Sequence, residues 1–179
     1  MLIEELDRQS CVDLLSRTRL GRLACSDGRQ PYVVPFYFAS DADAKYVYSF
    51  SMFGKKIEWM RTNPLVCVEA DEVVSRQKWT TVIVFGGYEE LPDTPQWSRE
   101  RAAAHSLLRS RAMWWEPAYA KTAVQGGVHS PQPLFYRIHI DKITGRRATP
   151  EPSLAARSST TSSFRGGWMK KISRRLHGD

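Results

Sequence analysis

Residues 46–51, Tyr-Val-Tyr-Ser-Phe-Ser, alternate strictly: Tyr46, Tyr48 and Phe50 share one face, and Val47, Ser49 and Ser51 the other. A period of two predicts a strand with two different environments, one on each side. Val66 to Asp71 repeats the pattern, and Leu134 to Ile140 reads as a further strand. Residues 31–39 (PYVVPFYFA) are apolar on both faces, so both sides of that strand need a cover. Pro35 inside the run cannot donate to a ladder, which predicts a bulge or an edge segment there.

The remaining punctuation sets the order of elements. Ser10-Cys11-Val12-Asp13 predicts a helix start capped by Ser10. Residues 21–25 read as a strand stopped at Ser26-Asp27-Gly28, and residues 54–62 as a helix ended before Asn63-Pro64. Trp79 to Glu90 reads as a long strand interrupted at Gly86-Gly87. Thr94-Pro95 opens a helix expected to reach about Ser110, and residues 111–133 read as irregular. Strands joined by tight turns predict an antiparallel, mainly β fold, a small closed barrel with helices at its ends.

The net charge of +7 over 179 residues is unevenly placed. Residues 145–179 carry eight Lys or Arg against Glu151 and Asp179, a net +6, which leaves +1 for residues 1–144. The basic character therefore belongs to the tail. From about Thr149 the chain is rich in Ser, Thr and Arg and is expected to be disordered, ending in a basic stripe of Trp168, Ile172 and Leu176 at helical spacing. That stripe either contacts nucleic acid or anionic membrane, or is a solvated end. Cys11, Cys25 and Cys67 form no CxxC pair and leave an odd count, so a reducing cytoplasm is the expected compartment. No signal peptide and no membrane span is expected.

Nucleotide-binding loops of the GxGxxG and GxxxxGK[ST] types are absent, the four histidines are scattered, and no metal-ligand spacing occurs. No side chain is assigned a catalytic role. The informative segment is Ser49 to Ile57, where Lys55 and Lys56 occupy the first turn of the predicted helix. The helix dipole disfavours cations there, a conflict that an anion at the free N–H groups would resolve. The other reading has both lysines solvated, with Glu58 offsetting their repulsion. Arg61 either assists the anion or is solvated. Trp79, Trp114 and Trp115 either cover a bound small molecule or, as such aromatics more often do, fill core or interface positions, and Cys67 fits a small packed hydrophobe.

Four stretches in order, GRLACSDGRQPYVVPFYF, KYVYSFSMFGKKIEWMRTNPLVCVEAD, KWTTVIVFGGYEELPD and FYRIHIDKITGRR, resemble the FMN-binding split-barrel superfamily over residues 1–147. The branch it is most similar to is the pyridoxamine 5'-phosphate oxidase-related family, which includes nitroimidazole-resistance proteins. The resemblance implies a six-stranded antiparallel split barrel over 1–147, a tail over 148–179, and a homodimer with FMN in two clefts between the copies. It implies that Lys55 and Lys56 hold the flavin phosphate, that Val34, Pro35 and Phe36 lie along the ring, and that Tyr48, Ser49 and Ser51 line the ribityl and phosphate path. Thr81 falls where the oxidase has a flavin-contacting Gln. Phe50 stands where nitroimidazole-resistance members have His, and the Arg/His pattern that binds pyridoxamine phosphate is missing, so true pyridoxamine 5'-phosphate oxidase activity is not expected. The implied function is a flavin-dependent oxidoreductase acting on a small molecule. The alternatives are a non-enzymatic flavin-binding module or dimeric scaffold, or a haem- or deazaflavin-binding split barrel.

Overall fold

The computed structural model describes residues 1–109 and 133–151. Within them lie eight strands: β1 (Leu2–Glu5), β2 (Leu20–Ser26), β3 (Pro31–Tyr37), β4 (Ala39–Ser40), β5 (Tyr46–Ser51), β6 (Leu65–Ser75), β7 (Lys78–Leu91) and β8 (Leu134–Thr149). Three α-helices join them: α1 (Arg8–Arg17), α2 (Lys55–Thr62) and α3 (Ser98–Arg109), the last led in by a 3-10 turn at Pro95–Trp97. The strands form one antiparallel sheet in the order β3-β2-β6-β7-β8-β5-β4, with β1 also paired to β8.

The antiparallel, mainly β architecture agrees with the sequence pattern, and four details correct it. The sheet has eight strands, not six, and its terminal strands β3 and β4 are not paired to each other, so the barrel is not closed. Leu2–Glu5 forms an unforeseen strand because β8 runs on to Thr149 and offers its end as a template. β7 is continuous through Gly86-Gly87 rather than interrupted. Helix α1 starts earlier than expected, because Asp7 and not Ser10 is its cap: the Asp7 carboxylate accepts from the Ser10 N–H at 2.7 Å. Pro35 lies in β3, an edge strand whose ladder partner is β2, where a missing N–H costs least. The expectations for residues 111–132, Trp114, Trp115 and the basic stripe of the tail lie outside the described residues.

Two apolar cores result from the alternation. One face of the sheet buries Leu23, Cys25, Phe36, Val47, Val68, Val82, Val84, Tyr136 and Ile138. Helix α1 covers it with Cys11, Leu14 and Leu15, and α2 with Ile57 and Met60, three or four residues apart in each helix. The other face of β5 turns Tyr46, Tyr48 and Phe50 toward α3, where Ala104 and Leu108 close a smaller cluster with Ala39 and Leu91. Each large side chain removed from water in this way contributes roughly 1.5–3 kcal/mol.

The long β7–β8 pair holds both halves together, and it bends at one place. The register shifts between Phe85 and Gly86, so that Phe85 faces Lys142 while Gly86 faces Ile140, leaving Asp141 as an extra residue on β8. A Cβ on Gly86 would sit 1.9 Å from the His139 carbonyl oxygen. Neither backbone can yield there without opening the ladder. Gly86→Ala is expected to cost at least about 2 kcal/mol by overpacking. Gly87→Ala, with open space around the added methyl, should stay within about 0.5 kcal/mol of the parent. Equal urea midpoints for the two variants would contradict this account of the bend.

Candidate functional site

Helix α2 begins with Lys55 and Lys56 behind Gly54, which supplies no side-chain cap. The Gly54 carbonyl accepts from Ile57 N at 2.9 Å and Glu58 N at 3.1 Å, so the first turn is formed while its leading N–H groups stay uncapped by a side chain. The dipole and the two ammonium groups add rather than cancel. Among the described residues neither lysine forms an ion pair, so Glu58, the acid of the same turn, is not paired with either of them.

The two lysines differ. Lys56 is half-buried, and burial pushes its ammonium below the usual lysine range. The Cys25 thiol of β2 partly offsets that shift, and is itself pushed up by burial and drawn back by Lys56 and Lys55. Lys55 is exposed and rests in an aromatic corner, with Nζ 4.5 Å from the Trp59 ring centroid and 5.0 Å from that of Tyr32. Those rings meet edge to face at 5.5 Å. Lys56 is thus a partly desolvated cation without a counter-ion among the described residues, whereas Lys55 is already stabilised by ring faces.

The other residues implicated by the sequence fall in three environments. On the core side, Ser49 is buried and its hydroxyl donates to the Tyr37 carbonyl at 2.7 Å, while Ser51 donates to the Met52 carbonyl at 2.8 Å next to the turn into α2. Phe36 is fully buried in the core, and Val34 packs against the same cluster. Tyr48 faces the other way, under α3, and burial pushes its hydroxyl up. Pro35 is opposite Arg22, and Thr81 donates to Glu69 at 3.2 Å, both on the outer side of the sheet. A single chain therefore brings Ser49, Ser51, Lys55 and Lys56 to one end of β5 and α2, and leaves Tyr48, Pro35 and Thr81 apart from them.

The outer side is itself unusual. Arg22 bridges Glu69, at 3.2 Å, and Asp71 across β2 and β6. Around this pair Val33, Leu65 and Phe85 are 59%, 70% and 44% exposed, an apolar surface set on strands rather than scattered. Cys67, expected as a packed hydrophobe, lies between Ala24 and Phe85 on these strands and is partly exposed.

Several side chains near the site have partners that the sequence did not indicate, Arg61 among them, which was read as an aid to the anion or as solvated. Arg61 forms a two-nitrogen ion pair with Glu90, with Nη2 to Oε2 at 3.0 Å, and the Tyr88 hydroxyl donates to Glu90 Oε1 at 2.8 Å. Arg137 pairs with Glu89 at 2.6 Å and stacks 4.2 Å from the Tyr46 ring. The two ion pairs join different elements, so spacing along the chain does not reveal them. The Lys55–Trp59 contact, four residues apart on α2, and the Tyr88–Glu90 bond, two apart on one face of β7, are local. Among the described residues no group of three or more His, Cys, Asp or Glu could hold a metal ion. The arrangement can bind an anion and offers an apolar face for a larger neighbour.

A family model described as pyridoxamine 5'-phosphate oxidase matches residues 7–147. An uncharacterized protein of Rhizobium meliloti (strain 1021) is 38% identical over 148 residues, covering 83% of this chain and 97% of that protein. The crystal structure of a FAD-binding protein from Mesorhizobium loti is similar with a TM-score of 0.68 and 41% identity, over 84% of this chain and 99% of the other. The structure of a nitroimidazole antibiotic resistance protein from Bacteroides thetaiotaomicron, 18% identical with a TM-score of 0.57 over 84% of this chain and 93% of that one, shares the fold. With a family match across nearly the whole described body, a close relative in Rhizobium and the same strand framework in solved structures, this chain belongs to the pyridoxamine 5'-phosphate oxidase family.

Proposed function

We propose that the protein binds FMN, with the phosphate on the first turn of α2, and works as a homodimeric flavin-dependent oxidoreductase on a small molecule. The observation that carries the reading is Lys56: a half-buried ammonium with no counter-ion among the described residues, at an uncapped helix start, beside a second lysine. Burial of an unpaired cation is unfavourable unless an anion completes the site. The similarity to a Mesorhizobium protein described as FAD-binding supports a flavin, and both flavin nucleotides carry a phosphate next to the ribityl chain. Lys56, Lys55, the leading N–H groups of α2 and Ser51 would hold that phosphate. The bound flavin would supply the redox chemistry, while the chain binds and orients it. No nucleophilic side chain is required.

The outer face of the sheet supports the homodimer. Val33, Leu65 and Phe85 are the kind of surface a second copy covers, and the Arg22–Glu69–Asp71 cluster would give the contact its register. Pro35 and Thr81 would then line a cleft between copies, where one chain alone leaves them on open sheet.

Three outcomes are expected. Replacing Lys55 and Lys56 together by Ala removes two charge-assisted contacts of roughly 1.5–3 kcal/mol each. FMN affinity measured by fluorescence quenching should fall at least about a hundredfold, and riboflavin affinity should change little; an unchanged FMN affinity would place the anion elsewhere. Titrations with FMN and FAD in parallel identify the nucleotide, and a yellow protein that fails to consume reduced nicotinamides with any acceptor would leave binding without catalysis.

Lys56→Met should raise the thermal midpoint of the flavin-free protein at neutral pH while weakening FMN. The Lys56 pKa is lower folded than unfolded, so charging it opposes folding at pH values below the folded pKa. That cost disappears as pH rises from the folded toward the unfolded value, and the advantage of Met should shrink over the same interval. Finally, sedimentation at micromolar concentration should show a dimer, and Phe85→Glu should release monomers with weakened flavin binding. A parent protein that sediments as a monomer with FMN bound would end the dimer reading.

A further inference from the structure

Among the described residues one cluster bound to α2 shares no hydrogen bond or ion pair with the lysines, yet it grips the far end of the helix that carries them. In the last turn of α2, Arg61 grips Glu90 of β7 with Nε and Nη2, and Tyr88 donates to the same carboxylate at 2.8 Å. Arg61 holds the Glu90 carboxyl below the usual range, so the pair stays ionised until the pH falls through that depressed value. The guanidinium also lies 5.1 Å from the Phe53 ring centroid, in the turn just before Gly54. The Tyr88 ring packs 5.4 Å from that of Tyr136, which is fully buried, and the Tyr88 N–H donates to the Pro64 carbonyl at 2.8 Å beyond the helix end. A continuous path thus runs from the core through Tyr88, Glu90 and Arg61 to Phe53. The turn at its far end has little support of its own: no side chain caps α2, Phe53 is 64% exposed, and nothing lies within 4 Å of a Cβ built on Gly54.

We propose that Glu90 is a positioning residue for the anion site: through Arg61 it fixes the tilt of α2 and the turn at Phe53, and so aims the first-turn N–H groups and Lys56 at the phosphate. The proposal rests on the phosphate reading above. It assigns Arg61 to the strut and not to the phosphate, because both of its bonding nitrogens face Glu90. The sign of the effect distinguishes the roles. Were Glu90 only an acid near a cationic site, neutralising it would strengthen binding of a dianion; as a strut, its loss weakens binding.

The experiment compares FMN and riboflavin affinities of Glu90→Gln, Arg61→Gln and the double variant. Each single change should weaken FMN about tenfold and leave riboflavin unchanged, and the double should lose no more than either single, as expected for one unit. Glu72→Gln breaks a comparable two-nitrogen pair with Arg17, at 2.6 and 2.8 Å, between α1 and β6. It should leave FMN affinity intact. Unchanged or tighter FMN binding in Glu90→Gln overturns the proposal, and so does an equal loss of riboflavin, which marks general loosening. Lys56→Ala serves separately: if it keeps the preference for FMN over riboflavin, the phosphate reading itself falls, whatever Glu90 does.

Discussion

The contact between Gly86 and the backbone of His139 is the constraint on which the rest of the sheet depends. β7 and β8 pair from Trp79–Ala148 to Leu91–Phe135, and that ribbon must serve two cores facing different helices. A straight ribbon of this length cannot turn from one to the other. The extra residue at Asp141 bends it, and the absence of a side chain at Gly86 lets the bent backbone come within reach. On one side of the bend the ribbon joins β6 and β2; on the other it joins β5 and carries α3. The end of β5 and the start of α2 take their places from that geometry.

At α2 the interests of stability and binding diverge. A helix start normally recruits Ser, Thr, Asp or Asn as a cap and an acid in the first turn. Here Gly54 stands at the cap and two lysines lead the first turn ahead of Glu58, and one lysine is half-buried. A sequence selected for helix stability alone would not choose them. Local rules that fail in this way are expected at sites of function. The strut of Tyr88, Glu90 and Arg61 offsets part of the resulting looseness from the far end of the helix.

Much of the fold was legible because it is written in periods. The two faces of Tyr46–Ser51, the apolar spacing on α1 and the stop at Asn63-Pro64 follow from residues that are neighbours in sequence. The lysine pair was legible too, since its conflict with the helix dipole is local. The cap of α1 was misplaced by three residues because Asp7 and Ser10 both carry capping chemistry, and only the backbone conformation at Asp7 decides between them. β1 was missed because Leu2–Glu5 is exposed at every position and has no alternation of burial to show; its ladder is borrowed from β8. The ion pairs of Arg61 with Glu90 and Arg137 with Glu89 join residues far apart in the chain, and no spacing rule reaches them.

By itself the sequence determined that the chain is an antiparallel β protein with a cationic helix start after the strand at residues 46–51, because alternation, turn residues and capping are local and act over a few bonds. Tertiary structure alone decided that the sheet of the described residues has eight strands and stays open, that Lys56 is desolvated while Lys55 rests on aromatic rings, and that the Tyr48 face is the one covered by α3. Those outcomes depend on which distant surfaces meet. Burial is a property of the assembled chain, and two adjacent lysines with the same intrinsic chemistry acquire different roles once one of them is covered.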